Sequence, residues 1–319
     1  MTGPTPDPTP DKLRVGVIGV GYLGRFHALI HSRLPNVQLV GVADVDAARA
    51  AEVAAEAGCA AFADPRALLG QVDAVSVVVP TSMHLDVARP YLEQGVHMLL
   101  EKPVAPDRAQ GAEIVRLADA SGAILQIGHL ERFNAGIMEL ARRIDSPRFV
   151  EAQRMGGFTE RATDVDVVSD LMIHDIDIIL ALVDADLADV RAVGTPVLTE
   201  HVDIANARLE FINGTVANVV ASRVSDKPTR RIRVFQPHGY LSLDFVSQTL
   251  DIAEPVPRPD QPRPEIRRQR IAVETVKPLD LEIAAFVDCV RRGARPLVHG
   301  AVGLKALEVA LLVRQRIGA

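Results

Sequence analysis

The sequence predicts an α/β fold in two parts: a doubly wound parallel sheet, then an α+β domain with a large, mostly antiparallel open sheet. Three observations carry this expectation. A glycine triplet directly follows the first apolar run, in Arg14-Val-Gly-Val-Ile-Gly-Val-Gly-Tyr-Leu-Gly24. Apolar runs then alternate with alanine-rich helical stretches to about residue 128, the pattern of a parallel sheet with helices on both faces. Beyond Gly128 the runs alternate residue by residue, which indicates strands with two unlike faces.

The expected strands of the first part lie at 14–20, 37–43, 74–79, 97–100 and 124–127. Val75-Ser-Val-Val-Val79 and His97-Met-Leu-Leu100 are nearly continuous in apolar residues, as strands buried on both faces must be. Helical segments follow near 134–144 and 166–183. Ala207-Arg-Leu-Glu-Phe211, Arg231-Ile-Arg-Val-Phe235 and Tyr240-Leu-Ser-Leu-Asp-Phe245 are then strands of period two, with turn signals at Asn213-Gly214 and His238-Gly239. Five prolines between Pro255 and Pro264 predict an extended loop. Helices at about 279–292 and 299–316 close the chain. The expected domains are 13–128 and 129–319, with the last helix a candidate to pack back on the first domain and residues 1–12 a disordered tail.

At 319 residues, two domains are the default. A hydrophobic fraction of 48% with 24% charged residues fits a globular protein with a large core. The net charge of −6 argues against a nucleic-acid partner. Cys59 and Cys289 stand in no metal-type spacing and fit a reducing, cytoplasmic setting. The first ten residues lack the basic start and apolar segment of a secretory signal, and no run is long enough to cross a bilayer.

Strand, glycine turn and helix start in this register form a Rossmann dinucleotide-binding signature. Gly19 permits the tight turn, Gly21 lets the backbone approach a pyrophosphate, and Gly24 lets the helix pack on the strand; Val20, Tyr22 and Leu23 complete the cofactor-binding turn. The helix start near Tyr22 presents N–H groups to the anion. Val37-Gln-Leu-Val-Gly-Val-Ala-Asp44 ends the second run in an acid, placed to accept hydrogen bonds from both ribose hydroxyls of an adenosine. NAD is therefore expected over NADP, because that carboxylate repels a 2′-phosphate.

Turned at 100° per residue, the helix Asp170-Leu-Met-Ile-His-Asp-Ile-Asp177 brings Asp170, His174 and Asp177 into one polar stripe on an otherwise apolar cylinder. Three readings stand: a structural Asp–His pair, a proton-exchanging His174 oriented by Asp170, and a metal site, the last disfavoured because no second histidine or cysteine stands nearby. Glu101-Lys-Pro103 sits at the carboxyl end of an expected strand, the edge where ligands bind in such sheets. Lys102 there is either a solvated charge or a holder of a substrate oxygen. Pro80-Thr-Ser-Met-His84 lies at another strand end, with Thr81 a candidate helix cap and His84 a neighbour of the cofactor.

These strings resemble the glucose–fructose oxidoreductase, inositol dehydrogenase and MocA (Gfo/Idh/MocA) family over nearly the whole chain. The resemblance implies a catalytic centre of Lys102, Asp170 and His174. It also implies NAD or NADP contacts at the glycine turn, Pro80, Thr81, His84, Glu101 and Lys102, and oxidation or reduction of a secondary alcohol on a polyol or sugar. It further implies a homodimer or homotetramer built through the second sheet, where residues such as Phe235, Val219 or Val220 are expected on the uncovered face. Many members have Gly two residues after the aspartate, where this chain has Met172, a larger side chain expected to reshape the substrate pocket. Gly128-His-Leu-Glu-Arg-Phe-Asn134 and the Asp170–Asp177 helix are similar to the UDP-N-acetylglucosamine 3-dehydrogenase subgroup, which makes Arg132, Asn134, Arg154 and Asp177 candidate substrate contacts. Arg132, Arg154, Arg161, Arg223, Arg230, Arg231 and Arg233 offer cations for a diphosphate, or else line a solvated face. Inositol or a simple hexose is the rival substrate, and a non-catalytic dinucleotide-binding regulator the rival role. Either Lys102 or His174 can be the proton acceptor.

Overall fold

The computed structural model describes residues 12–159, 165–259, 261, 263–274 and 276–318. The expected tail, apart from Lys12, and Arg161 lie outside the described residues. The chain divides into two compact units. One runs to Gly128 and includes Leu279–Ala301; the other is His129–Pro278 with the chain from Val302.

The first unit alternates strand and helix: β1 (Leu13–Ile18), α1 (Tyr22–Arg33), β2 (Val37–Ala43), α2 (Ala47–Ala57), β3 (Ala60–Phe62), β4 (Ala74–Val77), α3 (His84–Leu92), β5 (His97–Glu101), α4 (Arg108–Ser121) and β6 (Leu125–Gly128). The strands pair in parallel in the order β3-β2-β1-β4-β5-β6. The order reverses between β1 and β4, which opens a ligand crevice beyond the carboxyl ends of those strands. Local chemistry sets the helix ends. Asp46 accepts from the amides of Ala48 and Arg49 to start α2, and Asp107 accepts from Gln110 to start α4. Helix α1 differs: its cap is Gly21, which has no side chain to accept from the first amides, and no acid occupies its first turn.

The second unit contains α5 (Ala135–Ala141), β7 (Phe149–Met155), α6 (Ile173–Val183), β8 (Leu187–Thr195), β9 (Ile204–Phe211), β10 (Val216–Ser222), β11 (Thr229–Gln236), β12 (Gly239–Asp244), β13 (Thr249–Val256) and β14 (Glu265–Ala272). These strands form an eight-stranded sheet, β14-β13-β12-β11-β7-β10-β9-β8, in which only β7 and β10 run parallel. One face carries Ala152, Ala207, Val219, Ile232 and Val234 into a core with Ile173, Ile176 and Ile179 of α6. Of the two valines offered for the uncovered face, Val219 shares the parity of buried Ala217 and Ala221, and Val220 has the opposite parity. The other face holds Phe149, Phe235 and Tyr240, with ring centroids 5.7 Å and 5.0 Å apart in succession. Pro255, expected to open a loop, instead is the penultimate residue of β13, paired opposite Ile266, and the strand ends at Val256.

The chain closes with α7 (Pro278–Arg292) and α8 (Gly300–Ile317). Ile283, Phe286 and Val287 of α7 pack with Ile30 of α1 and with Val15, Ala74 and Leu99 of the first sheet. Ala306, Val309, Ala310 and Val313 of α8 lie in the core of the second unit. The helix that joins the first unit is therefore the penultimate one, not the last. Among the described residues no helix is long and apolar enough to cross a membrane.

Candidate active site

In the first unit, the turn after β1 is built as a phosphate cradle. Gly19 has φ +81°, and a Cβ there would lie 2.5 Å from the Val78 carbonyl oxygen. A Cβ at Gly24 would overlap the Gly19 carbonyl oxygen, so α1 can start this close only with glycine. At Gly21 a Cβ would meet nothing within 4 Å, so this glycine faces open space at the uncapped helix start. Open space and the positive end of a helix dipole are what a pyrophosphate requires, and the residues present fit a dinucleotide.

Asp44 Oδ2 accepts from the Val20 amide at 2.8 Å and Oδ1 from the Asp46 amide at 2.9 Å. The acid thus ties the glycine turn to the end of β2. Each oxygen retains acceptor capacity for a ribose hydroxyl. Lys102 is half-buried at the end of β5 and joined to Pro103 by a cis peptide. Thr81 begins a single 3₁₀ turn, Thr81–Met83, rather than capping α3, whose cap residue is Met83 with no side-chain bond. His84 is fully buried: its ring nitrogens contact the carbonyls of Val104 at 3.2 Å and Val79 at 3.1 Å, and burial lowers its pKa. Its ring is thus engaged inside the protein by two backbone carbonyls. Glu101, also expected at the cofactor, turns its carboxylate inward and is 6% exposed.

In the second unit, α6 is preceded by a π-helical turn, Val168–Met172, where a regular α-helix was expected. Such wide turns often occur at functional sites. Asp166 anchors it by accepting from the amides of Val168 and Ser169, and is itself held by Arg314 at 3.1 Å. Asp170, within the π turn, and His174, one turn on, are both half-buried. Asp170 borders a cavity of about 170 Å³ whose lining includes Arg154, Arg223 and Arg230. The His174 ring meets that of His129 edge-on, with centroids 6.4 Å apart.

The remaining expected contacts are spent on the protein itself. Asp177, placed by the helical wheel on a cavity-facing stripe, is 1% exposed and faces Arg132 at 3.4 Å. Burial raises its carboxyl pKa against the opposing pull of His129 and Arg132. Arg154 is 4% exposed; Nε and Nη2 donate to Asp175 and Nη1 donates to Glu131, each at 2.9 Å. Burial alone would lower its pKa, but Asp175 and Glu131 raise it overall. Asn134 caps α5 through the Gly136 amide at 2.9 Å. Met172 is wholly buried in the second core, so it reshapes no pocket wall. Arg231 and Arg233 project from the uncovered sheet face to Ser242 and Glu151, whereas Arg230 lies at the rim of the cavity. Sequence reasoning missed Asp175, Glu131 and His129. The available signal was Asp175 itself, an acid set among isoleucines on a buried helix, which demands a cation partner. Among the described residues no cluster of three or more His, Cys, Asp or Glu side chains could hold a metal ion.

This sheet order with this cradle defines a dinucleotide-binding protein of the Rossmann class. An oxidoreductase family with an NAD-binding Rossmann fold matches residues 13–129, and the Gfo/Idh/MocA C-terminal domain matches 137–242. The chain belongs to the Gfo/Idh/MocA oxidoreductase family. It is similar to the UDP-N-acetylglucosamine 3-dehydrogenase of Acidithiobacillus ferrooxidans, with 41% identity over 96% of this chain and 98% of that one. The crystal structure of that enzyme aligns with a TM-score of 0.90 over the same shares of both chains. A scyllo-inositol 2-dehydrogenase (NAD(+)) of Bacillus subtilis is 27% identical over 94% of this chain and 92% of its own. The scyllo-inositol dehydrogenase of Lactobacillus casei, solved with NAD(H) and scyllo-inositol, shares the fold at 18% identity, with a TM-score of 0.81 over 97% of both chains.

Proposed function

We propose that this chain is an NAD-dependent dehydrogenase that oxidises the C3 hydroxyl of UDP-N-acetylglucosamine. One observation carries the substrate reading: the likeness to the Acidithiobacillus ferrooxidans enzyme runs through nearly the whole chain at 41% identity. Arg230, exposed at the cavity that Asp170 borders, supports it, since the diphosphate of a nucleotide sugar needs a cation. In this reading His174 removes the hydroxyl proton, the Asp170 carboxylate steadies the resulting imidazolium, and Lys102 holds the substrate oxygen. A dinucleotide held by the glycine turn and Asp44 would supply the hydride acceptor for the same carbon, so that the alcohol would become a ketone.

The nucleotide of the substrate supplies remote binding energy, and its removal lowers turnover as well as affinity. The expected result is NAD reduction with UDP-N-acetylglucosamine in the presence of an aminotransferase trap, and little with free N-acetylglucosamine or myo-inositol. Robust turnover of free inositol or glucose, with none on the UDP-sugar, would overturn the substrate and leave the family intact.

NAD is the preferred cofactor in this reading. Asp44 directly follows β2, where the adenosine ribose is expected, and Arg49, the first arginine after it, is paired with Asp46 at 3.3 Å. Steady-state kcat/KM is expected to favour NAD over NADP by about tenfold or more, one close like-charge contact being worth roughly a kcal/mol or more. Equal efficiency with the two cofactors would remove the argument.

The uncovered sheet face, with Phe149, Phe235 and Tyr240 among paired charges, is proposed as the contact of a symmetric dimer or tetramer. Light scattering at micromolar concentration checks this, and a monomer there refutes it. Two free cysteines, Cys59 and Cys289, fit a cytoplasmic enzyme.

A further inference from the structure

The carboxylate of Glu101 is buried at the end of β5, one residue before Lys102. A carboxylate withdrawn from water is unfavourable unless neighbouring groups compensate it, so its surroundings carry information. His27 Nε2 lies 3.3 Å from Oε1, with the imidazole itself fully buried. Oε2 accepts the backbone amide of Lys102 at 3.3 Å. On the third side is Gly128 of β6, paired in register with Glu101. A Cβ at Gly128 would lie 2.8 Å from Oε1 and 2.9 Å from Oε2, so the strand is bare where the carboxylate rests on it. The other buried histidine of the same helix, His31, is occupied by Ser76 at 2.9 Å, and burial lowers its pKa to about 3.

His27 stands on α1 three residues after Gly24, in the helix whose start forms the phosphate cradle. The His27–Glu101 contact therefore joins the cofactor-binding helix to the strand end that carries Lys102. We infer that Glu101 and His27 are a buried positioning pair that holds Lys102 in fixed register with the dinucleotide cradle. This role for the pair rests on the assignment of Lys102 to the active site. Neither side chain touches substrate. Glu101 restrains the Lys102 backbone through its amide, and His27 keeps the carboxylate from rotating away.

The test uses the full-length enzyme and two readouts. The first is the rate at which acetic anhydride labels Lys102, followed by peptide mass spectrometry in the absence of substrate, with Lys305, held by Asp186 at 3.1 Å, as internal reference. The second is kcat with NAD and UDP-N-acetylglucosamine, normalised to sites that bind NAD. In His27→Leu and Glu101→Gln, Lys102 labelling is expected to change about fivefold or more relative to Lys305, and kcat to fall about tenfold or more, because small misplacements of a catalytic group are felt strongly in the rate. NAD affinity is expected to stay within about threefold, and His27→Gln, whose amide can face the carboxylate from the same place, to restore both readouts. Labelling and kcat of His27→Leu or Glu101→Gln within about twofold of wild type would overturn the pair's role. If His27→Leu does not fold, Glu101→Gln, which preserves volume, decides by the same criteria. A Lys102→Ala control that keeps full turnover would instead remove Lys102 from the active site. The labelling result would still report whether the pair holds that residue.

Discussion

Replacing His174 by alanine is expected to lower kcat by about a hundredfold or more, the scale associated with losing a positioned proton-transfer group. The dinucleotide cradle lies in the other unit, so NAD binding measured by fluorescence or calorimetry should be unchanged. The half-buried setting of His174 favours this outcome, since a proton acceptor must reach both the substrate and water. Asp170→Asn should fall in the same direction with a smaller loss, because it removes the charge that steadies the imidazolium but keeps the side-chain shape. A His174→Ala enzyme that turns over its true substrate at near-normal rate would mean that the proton leaves by another route, with Lys102 the first alternative.

Replacing Arg154 by methionine is expected to destabilise the folded chain by about 3–5 kcal/mol near pH 7, because it leaves Asp175 and Glu131 buried without their cation. The loss should depend on pH in a defined direction. Burial already raises the Asp175 pKa, and Arg154 opposes that rise. Without the guanidinium the folded-state pKa climbs further above the unfolded value. Such a raised group contributes stability below its unfolded pKa that is lost as pH rises through the folded one. The deficit of the variant relative to wild type should therefore shrink as pH falls from about 7 to about 5, as a protonated Asp175 no longer needs the cation. Urea unfolding at the two pH values measures it. A deficit below about 1 kcal/mol, or one that grows on acidification, would show that the triad is not the linchpin its geometry implies.

The difference between Arg154 and Arg230 explains what could be read without coordinates. Both stand in the same arginine-rich stretch, and their local sequence does not distinguish them. Arg154 is consumed by Asp175 and Glu131, from two separate segments, whereas Arg230 lies at the rim of a cavity. The same holds for the acids of the 170–177 helix. A helical wheel groups Asp170 with Asp177 and leaves Asp175 on the apolar side. In the fold Asp170 is half-buried, while both later acids are sealed by arginines. Met172 likewise reads as a pocket residue from its place two after Asp170, and packing puts it in the core.

By itself the sequence determined the parallel sheet, the glycine cradle, the acid at the end of β2 and the alternating strands of the second part. Each of these is a local pattern, a period of two or a spacing of glycines, whose physical requirement is met within a few residues. Only the tertiary structure decided which polar side chains stay available to a ligand, that Val219 faces the core, that α7 rather than α8 packs on the first sheet, and that Glu101 turns inward to His27. The reason is that a buried charge must be matched by a partner brought from elsewhere in the chain. Partners 23 residues apart, as Glu131 and Arg154 are, or 74 apart, as His27 and Glu101 are, leave no periodic trace between them.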